Sequence, residues 1–441
     1  MRRLLSLLLA VPVAVVSLPA PISLAADGQA VPSLSDGQGI LSLPDLLAEL
    51  RRVNPDLLSA KKRWEAAQAK VPMAKGLPAP RIGIEFEEIP RGTVKVNQAT
   101  LMYQLIQSLP FPGKRSLRHQ VALKEAQLAA TVFKQAEWEM TAMLKEVYYD
   151  LFLVDREMEI QQGAVGWLDQ AAAAASARYA TGAAPQAELL RAQAEALDAS
   201  NRVAVLGHRR QALAAHLNHL LNLPGHSQVG HPGPLSLLEV PSSPEALFAQ
   251  AMEEQPELLA FKFSAERAEA AWKLSKRELL PDLETMVELR DPAMGPFGPW
   301  DLTLALVLPF WFWTKQKYGV KAALYDKDSA SAAYQGMQNE IQRRIHEHWH
   351  EAKAAHATAL VCQEGLIPLA RQAVASATAA YASGRGSFME LLDALVALQE
   401  RQRRYYQHLV QLEQHVVMLE QSVGVPLRAA HAESTQEGGA S

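Results

Sequence analysis

The chain has 441 residues, 49% of them hydrophobic, which is enough for a large core and excludes a wholly disordered protein. Its formal net charge at pH 7 is only -4, so the composition indicates neither a nucleic-acid partner nor another strongly charged one. No glycine-rich phosphate loop, nucleophile elbow or pair of catalytic carboxylates stands out, and we expect neither enzymatic activity nor a cofactor.

Residues 1–26 have the features of a secretory signal peptide. Two arginines precede the apolar run LLSLLLAVPVAVVSL, and small residues then suit cleavage near Ala26. An uncleaved anchor helix is the less favoured alternative, because the run is shorter than the roughly 20 residues of a membrane span and contains Pro12. We expect a linker at 27–42 and, since Cys362 is the only cysteine, no disulfide within the chain.

The rest of the chain reads as two copies of one unit, which we place at residues 43–226 and 243–427. The segment LPDLLAELRRVNPDLLSAKK from Leu43 resembles SPEALFAQAMEEQPELLAFK from Ser243, and YATGAAPQAELL in the first copy resembles YASGRGSFMELL in the second. Corresponding segments keep the same order and nearly the same offset, which indicates an internal duplication. The polar tail at 428–441 is expected to be disordered.

Each unit begins with a predicted helix, from Pro44 to about Gly76 and from Pro244 to about Leu280, and a proline follows each helix. Two segments of alternating apolar and polar residues come next in each unit. The clearest are RIGIEF in the first copy and DLETMVEL and WDLTLALVL in the second. A period of two predicts β-strands with one apolar and one mostly polar face, so we expect four strands in the chain.

A very long helix follows the strands of each unit, at about Arg115 to Tyr179 and about Lys317 to Tyr381. About 65 helical residues make a rod near 100 Å long, which does not fit within a compact domain. We expect the rods to pair lengthwise and to reverse at the glycine turns after the two tyrosines. In the last helix, mostly apolar residues recur at alternating spacings of four and three, which predicts coiled-coil packing. This seam comprises Leu391, Leu395, Leu398, Gln402, Tyr405, Leu409, Leu412, Val416, Leu419 and Val423.

No run of 18 apolar residues follows the signal peptide, so any membrane crossing would have to use the four β-strands. One chain cannot close a barrel, since four strands leave two open edges. Two chains would close eight strands around a packed interior, whereas three would close twelve around a lumen. Glu85 and Glu288 on the polar faces favour a lumen and hence a homotrimer. Phe310 to Trp313 are interpreted as an aromatic belt at the membrane surface, with a plug in a soluble core as the alternative.

The duplicated plan, the Tyr-x-x-Gly turns followed by ELLRAQ and ELLDAL, and the segments LPFPGKR and LPFWFWTKQKYG resemble the TolC family of outer-membrane efflux proteins. Within it they resemble the heavy-metal efflux branch typified by CzcC, over about Leu43 to Leu427. The resemblance implies a mostly α-helical chain with a small β-barrel part. Three chains would form a twelve-stranded barrel in outer-membrane lipid, with four strands from each chain, continued by a long periplasmic α-helical barrel.

The same resemblance implies function and partners. The trimer would be a passive exit duct of a tripartite efflux system in a Gram-negative bacterium. It would receive substrates, heavy-metal cations in this branch, from a periplasmic adaptor (membrane fusion) protein and an inner-membrane resistance-nodulation-division pump. The two tyrosine turns would be the periplasmic tips, where the duct narrows and the adaptor docks.

The resemblance also implies roles for residues at these tips. The adaptor-contacting set comprises Tyr179, Gly182, Glu188 and Gly384. The gate set comprises Tyr381, Arg385, Glu390 and Asp393. Arg385 departs from the family pattern, whose arginine usually stands where this chain has Gly386. The alternative for Glu390 and Asp393 is that they solvate a helix start and interact with its dipole.

The stretch HEHWH at 346–350 matches the H-E-x-x-H pattern of zinc proteases, with His346 and His350 on one helix face. A catalytic zinc also needs a third ligand and a substrate cleft, which a rod does not supply. We therefore expect at most a metal contact at His346 and His350. His216 and His219, three apart on another predicted helix, are interpreted as solvated surface.

Two alternative functions remain open from the sequence. A soluble periplasmic coiled-coil scaffold or adaptor is the first; the amphipathic strands argue against it, and solubility of the mature protein without detergent would support it. A zinc metalloprotease is the second, and an unchanged peptide substrate in the presence of zinc would exclude it.

Overall fold

The structure, a computed structural model, describes residues 39–87, 100–182, 185–240, 243–290 and 300–427. The predicted signal peptide, residues 27–38 of the predicted linker and the predicted tail at 428–441 lie outside the described residues. In chain order the elements are β1 (Ile40–Leu41), α1 (Leu43–Val53), α2 (Pro55–Lys75), β2 (Arg81–Glu87), β3 (Thr100–Leu109), α3 (Lys114–Ala180), α4 (Gln186–Leu220), β4 (His231–Pro232), α5 (Pro244–Glu254), α6 (Pro256–Arg277), β5 (Asp282–Arg290), β6 (Trp300–Val307), a π-helical turn (Phe312–Gln316), α7 (Lys317–Val361), a second π-helical turn (Cys362–Leu366), α8 (Ile367–Ala382) and α9 (Phe388–Val423).

The first helix of each unit is two helices, so the prediction of one continuous helix was wrong in both copies. The break falls before Pro55 and Pro256, because the residue that precedes a proline avoids the helical conformation. Asn54 and Gln255 at the breaks are extended and cap the next helix. The Asn54 Oδ1 atom accepts the Asp56 N–H at 2.9 Å, and the Gln255 side chain caps α6 in the same manner.

The long helices agree with the prediction in the first copy and depart from it in the second. α3 runs unbroken for 67 residues, which corresponds to about 100 Å. The predicted helix from Lys317 to Tyr381 instead contains the π-helical turn Cys362–Leu366. Pro368 follows this turn and has no N–H to donate to the preceding turn, and local widening of the helix accommodates that loss.

The four strands form one antiparallel sheet in the order β2, β3, β5, β6. The three strand segments predicted from sequence are confirmed to within one residue, and β3 is the remaining strand. The register aligns like residues across the sheet. One row comprises Ile82, Leu105, Val287 and Leu302, and the adjacent row on the other face comprises Gly83, Gln104, Glu288 and Asp301. The sheet therefore has an apolar and a polar face.

The helices pack lengthwise around α3, which contacts α2, α4, α6 and α9, while α9 also contacts α7 and α8. The predicted seam of α9 faces this packing: Leu409 and Leu419 are fully buried. Leu398, Gln402 and Tyr405 in the middle of the seam are only half-buried. No helix in the described part of the chain has the length and hydrophobicity of a membrane-spanning helix.

The aromatic residues between β6 and α7 lie on the surface of the chain. Phe310 and Trp311 are 68% and 65% exposed, and Phe312 and Trp313 are about half exposed. The alternative of a hydrophobic plug in the core of the chain is therefore wrong, because core residues would be covered.

Candidate functional site

The two tyrosine turns share the conformation of their glycine and one backbone hydrogen bond. Gly182 and Gly384 both adopt a φ of +71°, the left-handed conformation that favours glycine. The Gly182 N–H donates to the Tyr179 carbonyl at 2.9 Å, and the Gly384 N–H donates to the Tyr381 carbonyl at 3.1 Å. Each turn reverses a long helix into its returning partner, α3 into α4 and α8 into α9. Both helices thus end at a left-handed glycine.

Tyr381 joins the two tips. Its side chain is buried, and its hydroxyl donates to Glu188 Oε1 at 2.8 Å, across to α4 of the other hairpin. The Arg178 guanidinium of α3 lies 4.8 Å from the centre of the Tyr381 ring. Burial, helped by the Glu188 carboxylate, raises the pKa of Tyr381, so the hydroxyl keeps its proton and acts as the donor. Tyr179, by contrast, is 44% exposed at the first tip.

The comparison with known proteins identifies the family of this chain. A sequence profile of the outer membrane efflux protein family matches residues 46–223 and 247–425. The chain belongs to this family. Membership places the protein in the outer membrane, with its long helices in the periplasm, as the resemblance implied.

Individual relatives of this efflux protein agree with the family match. The chain is 22% identical over 393 residues to the cobalt-zinc-cadmium resistance protein CzcC of Cupriavidus metallidurans, covering 88% of this chain and 91% of that protein. The structure matches the outer membrane protein VceC of Vibrio cholerae with a TM-score of 0.75 at 17% identity, over 87% of this chain and 96% of VceC. It matches CusC with a TM-score of 0.75 at 14% identity, over 87% and 92% of the two chains. These structures share its fold.

Gly386 lies in a part of the second turn that leaves little room for a side chain. A Cβ atom on Gly386 would lie 2.9 Å from Ala380 Cβ and 3.1 Å from the Tyr381 backbone nitrogen. The turn folds back too tightly for a side chain there. Arg385 is exposed beside it, and its Nε atom donates to Ser383 Oγ at 3.2 Å.

Glu390 and Asp393 are both exposed at the start of α9. Glu390 also forms a capping box with Ser387: the Glu390 N–H donates to Ser387 Oγ, and the Ser387 N–H donates to Glu390 Oε2, both at 3.2 Å. The helix-start alternative therefore has a definite structural basis for Glu390. The Glu390 carboxylate is nevertheless exposed to solvent.

The histidines of the HEHWH stretch lie on α7. His346 is half-buried and His350 is exposed with its ring against Trp349, while Glu347 accepts a hydrogen bond from Arg343. Metal contact at His346 and His350 stays a prediction. In the described part of the chain, the group of side chains that could share one metal ion comprises His348, Glu351 and His415. His216 and His219 are exposed on α4, as expected of solvated surface.

Arg178 and His415 are missing from the sequence predictions. Arg178 offers only one sequence signal, a basic residue in the last turn of a helix, which does not identify Tyr381 as its partner. His415 lies beside the seam of α9 and belongs to no motif. Both residues gain their neighbours only when separate helices pack together.

Proposed function

We propose that three copies of this outer membrane efflux protein form the passive exit duct of a tripartite efflux system. The four-stranded sheets would close a twelve-stranded barrel in outer-membrane lipid, and the helices would form a periplasmic α-helical barrel. An inner-membrane resistance-nodulation-division pump would deliver substrate through a periplasmic adaptor. The adaptor would dock at the tips around Tyr179, Gly182, Glu188 and Gly384.

The two-faced sheet is the observation that supports this proposal most directly. Its apolar face lies uncovered, with Ile82 81% and Leu302 54% exposed. Its other face carries polar contacts, including a hydrogen bond from Gln104 Nε2 to Glu288 Oε1 at 2.8 Å. The outer strands β2 and β6 each have one neighbour within the described chain. An apolar face suits lipid, a polar face suits a lumen, and open edges suit pairing with further copies.

We also propose two finer points. The chain is a duplication of units at 43–226 and 243–427, supported by the family profile that matches it twice. Its cargo is heavy-metal cations, supported by the similarity to CzcC, a cobalt-zinc-cadmium resistance protein. A strain that lacks the gene should become more sensitive to Co²⁺, Zn²⁺ and Cd²⁺, and unchanged sensitivity to all three would contradict this cargo.

The duct is tested by planar-bilayer conductance of the purified mature protein, with its oligomeric mass measured in the same detergent. We expect discrete channels from a homotrimer. A monomer that is soluble without detergent and never conducts would overturn the duct and favour the periplasmic scaffold.

The gate makes a separate prediction. The double variant Glu390→Gln/Asp393→Asn removes both charges, while glutamine at position 390 still serves the capping box. If these carboxylates ring the entrance, block of the channel by multivalent cations should weaken several-fold, because the ring of negative charge that attracts them is gone. Single-channel recording with a trivalent cation on the tip side measures this.

The matched control for the gate is Asp326→Asn/Asp328→Asn, which removes two exposed carboxylates from α7, far along the chain from the tips. Multivalent cations should block the channel of this control variant as strongly as that of the wild type. Equal block in the wild type and both variants would place Glu390 and Asp393 away from the entrance and leave them with their helix-start role.

A further inference from the structure

Two histidines and a glutamate meet where α7 lies against α9. Glu351 Oε2 is 3.2 Å from His348 Nδ1 and 3.2 Å from His415 Nδ1. The two imidazole rings stack with their centres 6.1 Å apart and an angle of 29° between their planes. One carboxylate oxygen thus contacts both ring nitrogens, and one potential ligand atom from each residue lies within 4.8 Å of the others.

The packing of the two helices holds these side chains in place. His348 and Glu351 are three apart on α7 and so share one face. The next residue, Ala352, is fully buried in a cluster that includes Leu412 and Val416 of α9, on either side of His415. A small residue at this contact brings the helix backbones close together, and the His415 ring therefore reaches α7.

The His415 imidazole lacks a satisfactory partner in this arrangement. Its Nδ1 atom is shielded from solvent and makes no hydrogen bond within the described part of the chain, although it lies near Glu351 Oε2. The two atoms are close, but their geometry is not that of a hydrogen bond. The Nδ1 atom therefore loses its hydrogen bonds to water without forming one to the protein. A ligand bound between the three side chains would satisfy it.

We propose that His348, Glu351 and His415 form a binding site for a divalent transition-metal cation, with Zn²⁺ the best match, that links α7 to α9. Two imidazoles and a carboxylate are ligands that Zn²⁺ accepts and that Mg²⁺ and Ca²⁺ do not favour. Zinc–ligand bonds of about 2.0–2.2 Å place neighbouring ligand atoms of a tetrahedral ion about 3.3 Å apart. The two nitrogen–oxygen distances of 3.2 Å match that spacing.

The site is open on one side, because the Glu351 side chain is 46% exposed. A fourth ligand would come from solvent, and the ion could exchange with the surroundings. His348 also lines a cleft of about 250 Å³ that reaches Gln135 on α3 and Met418 on α9. The site lies between two packed helices of one chain. Zn²⁺ binding there is therefore independent of the proposed duct and of its substrate.

The test uses the full mature protein, purified with a tag that contains no histidine and stripped of metal by a chelator. Zn²⁺ binding is measured by isothermal titration calorimetry, and thermal unfolding is followed with and without Zn²⁺. We expect one tight site per chain and an unfolding midpoint that rises by several degrees with Zn²⁺, because an ion that binds only the folded state stabilises it.

Three variants locate the site. His348→Gln/His415→Gln should lose at least tenfold in Zn²⁺ affinity and lose the thermal shift. Glu351→Gln, which preserves side-chain shape, should weaken binding by about tenfold. The matched control, His216→Gln/His219→Gln, removes the same number of imidazoles from the exposed surface of α4 and should bind Zn²⁺ like the wild type.

Three results would overturn the proposal. Wild-type affinity in the His348→Gln/His415→Gln variant would show that these imidazoles do not bind the ion. Loss of binding in a His346→Gln/His350→Gln variant would move the site to the H-E-x-x-H pair. Wild-type affinity in Glu351→Gln would show that the carboxylate is not a ligand of the ion. This variant tests the proposed site even if the double histidine variant does not fold.

Discussion

Replacing Gly424 by alanine is expected to destabilise the protein by about 3 kcal/mol. Gly424 ends α9 with a φ of +84°, which costs a residue with a side chain about 1 kcal/mol or more. A Cβ atom there would also lie 2.8 Å from Gln255 Cα and 2.8 Å from the Glu254 carbonyl oxygen. These are backbone atoms at the α5–α6 junction, and forcing a methyl group against them costs roughly 1–3 kcal/mol more. Thermal unfolding followed by circular dichroism measures the change.

Gly384→Ala is the matched control for this prediction. Gly384 also has a positive φ, +71°, but a Cβ atom there would meet nothing within 4 Å. Only the cost of the left-handed backbone remains, so the midpoint of thermal unfolding should fall less in Gly384→Ala than in Gly424→Ala. Equal shifts in the two variants would contradict the close contact between the end of α9 and the α5–α6 junction.

Replacing Lys145 by methionine is expected to cost roughly 3–5 kcal/mol of stability. Lys145 of α3 forms an ion pair with Glu420 of α9, and the two side chains are 12% and 2% exposed. Glu420 Oε1 also accepts the Leu427 N–H at 2.9 Å. Without Lys145 the buried glutamate loses its ion pair to α3, and breaking a buried pair costs much more than losing an exposed one. The same unfolding measurement applies.

Two further variants separate burial from simple loss of a charge pair. Arg403→Met breaks an ion pair with Glu400 on the exposed side of α9 and should cost less than about 1 kcal/mol. Lys145→Met/Glu420→Gln removes both buried charges and should regain part of the stability that Lys145→Met alone loses. A Lys145→Met variant as stable as Arg403→Met would contradict the prediction, because it would show that Glu420 does not depend on Lys145 for its stability.

The elements most closely predicted from sequence are those specified by neighbouring residues. The alternation in RIGIEF and WDLTLALVL predicts β2 and β6 to within one residue, because a period of two matches the geometry of a strand. The helix errors have local causes as well. Pro55, Pro256 and Pro368 each stand inside a predicted helix, and the helix breaks before the first two and widens into a π-helical turn before the third.

The candidate site was predicted only in part. The resemblance assigns Tyr381 to the gate and Glu188 to adaptor contact, whereas the structure joins them in one hydrogen bond between the two hairpins. Lys145 was assigned no role from the sequence, yet it lies in a buried ion pair with α9. Residues outside any motif therefore gain their partners only through the packing of distant helices.

The sequence by itself determined the order of helices, strands and glycine turns, because periodicity, proline and left-handed glycine act over a few residues. Only the tertiary structure decided which distant side chains meet: Tyr381 with Glu188, Lys145 with Glu420, and His348 and Glu351 with His415. Such pairs depend on the rotation and lengthwise register of one long helix against another. Those are set by burial summed along the whole contact, and no short segment encodes them.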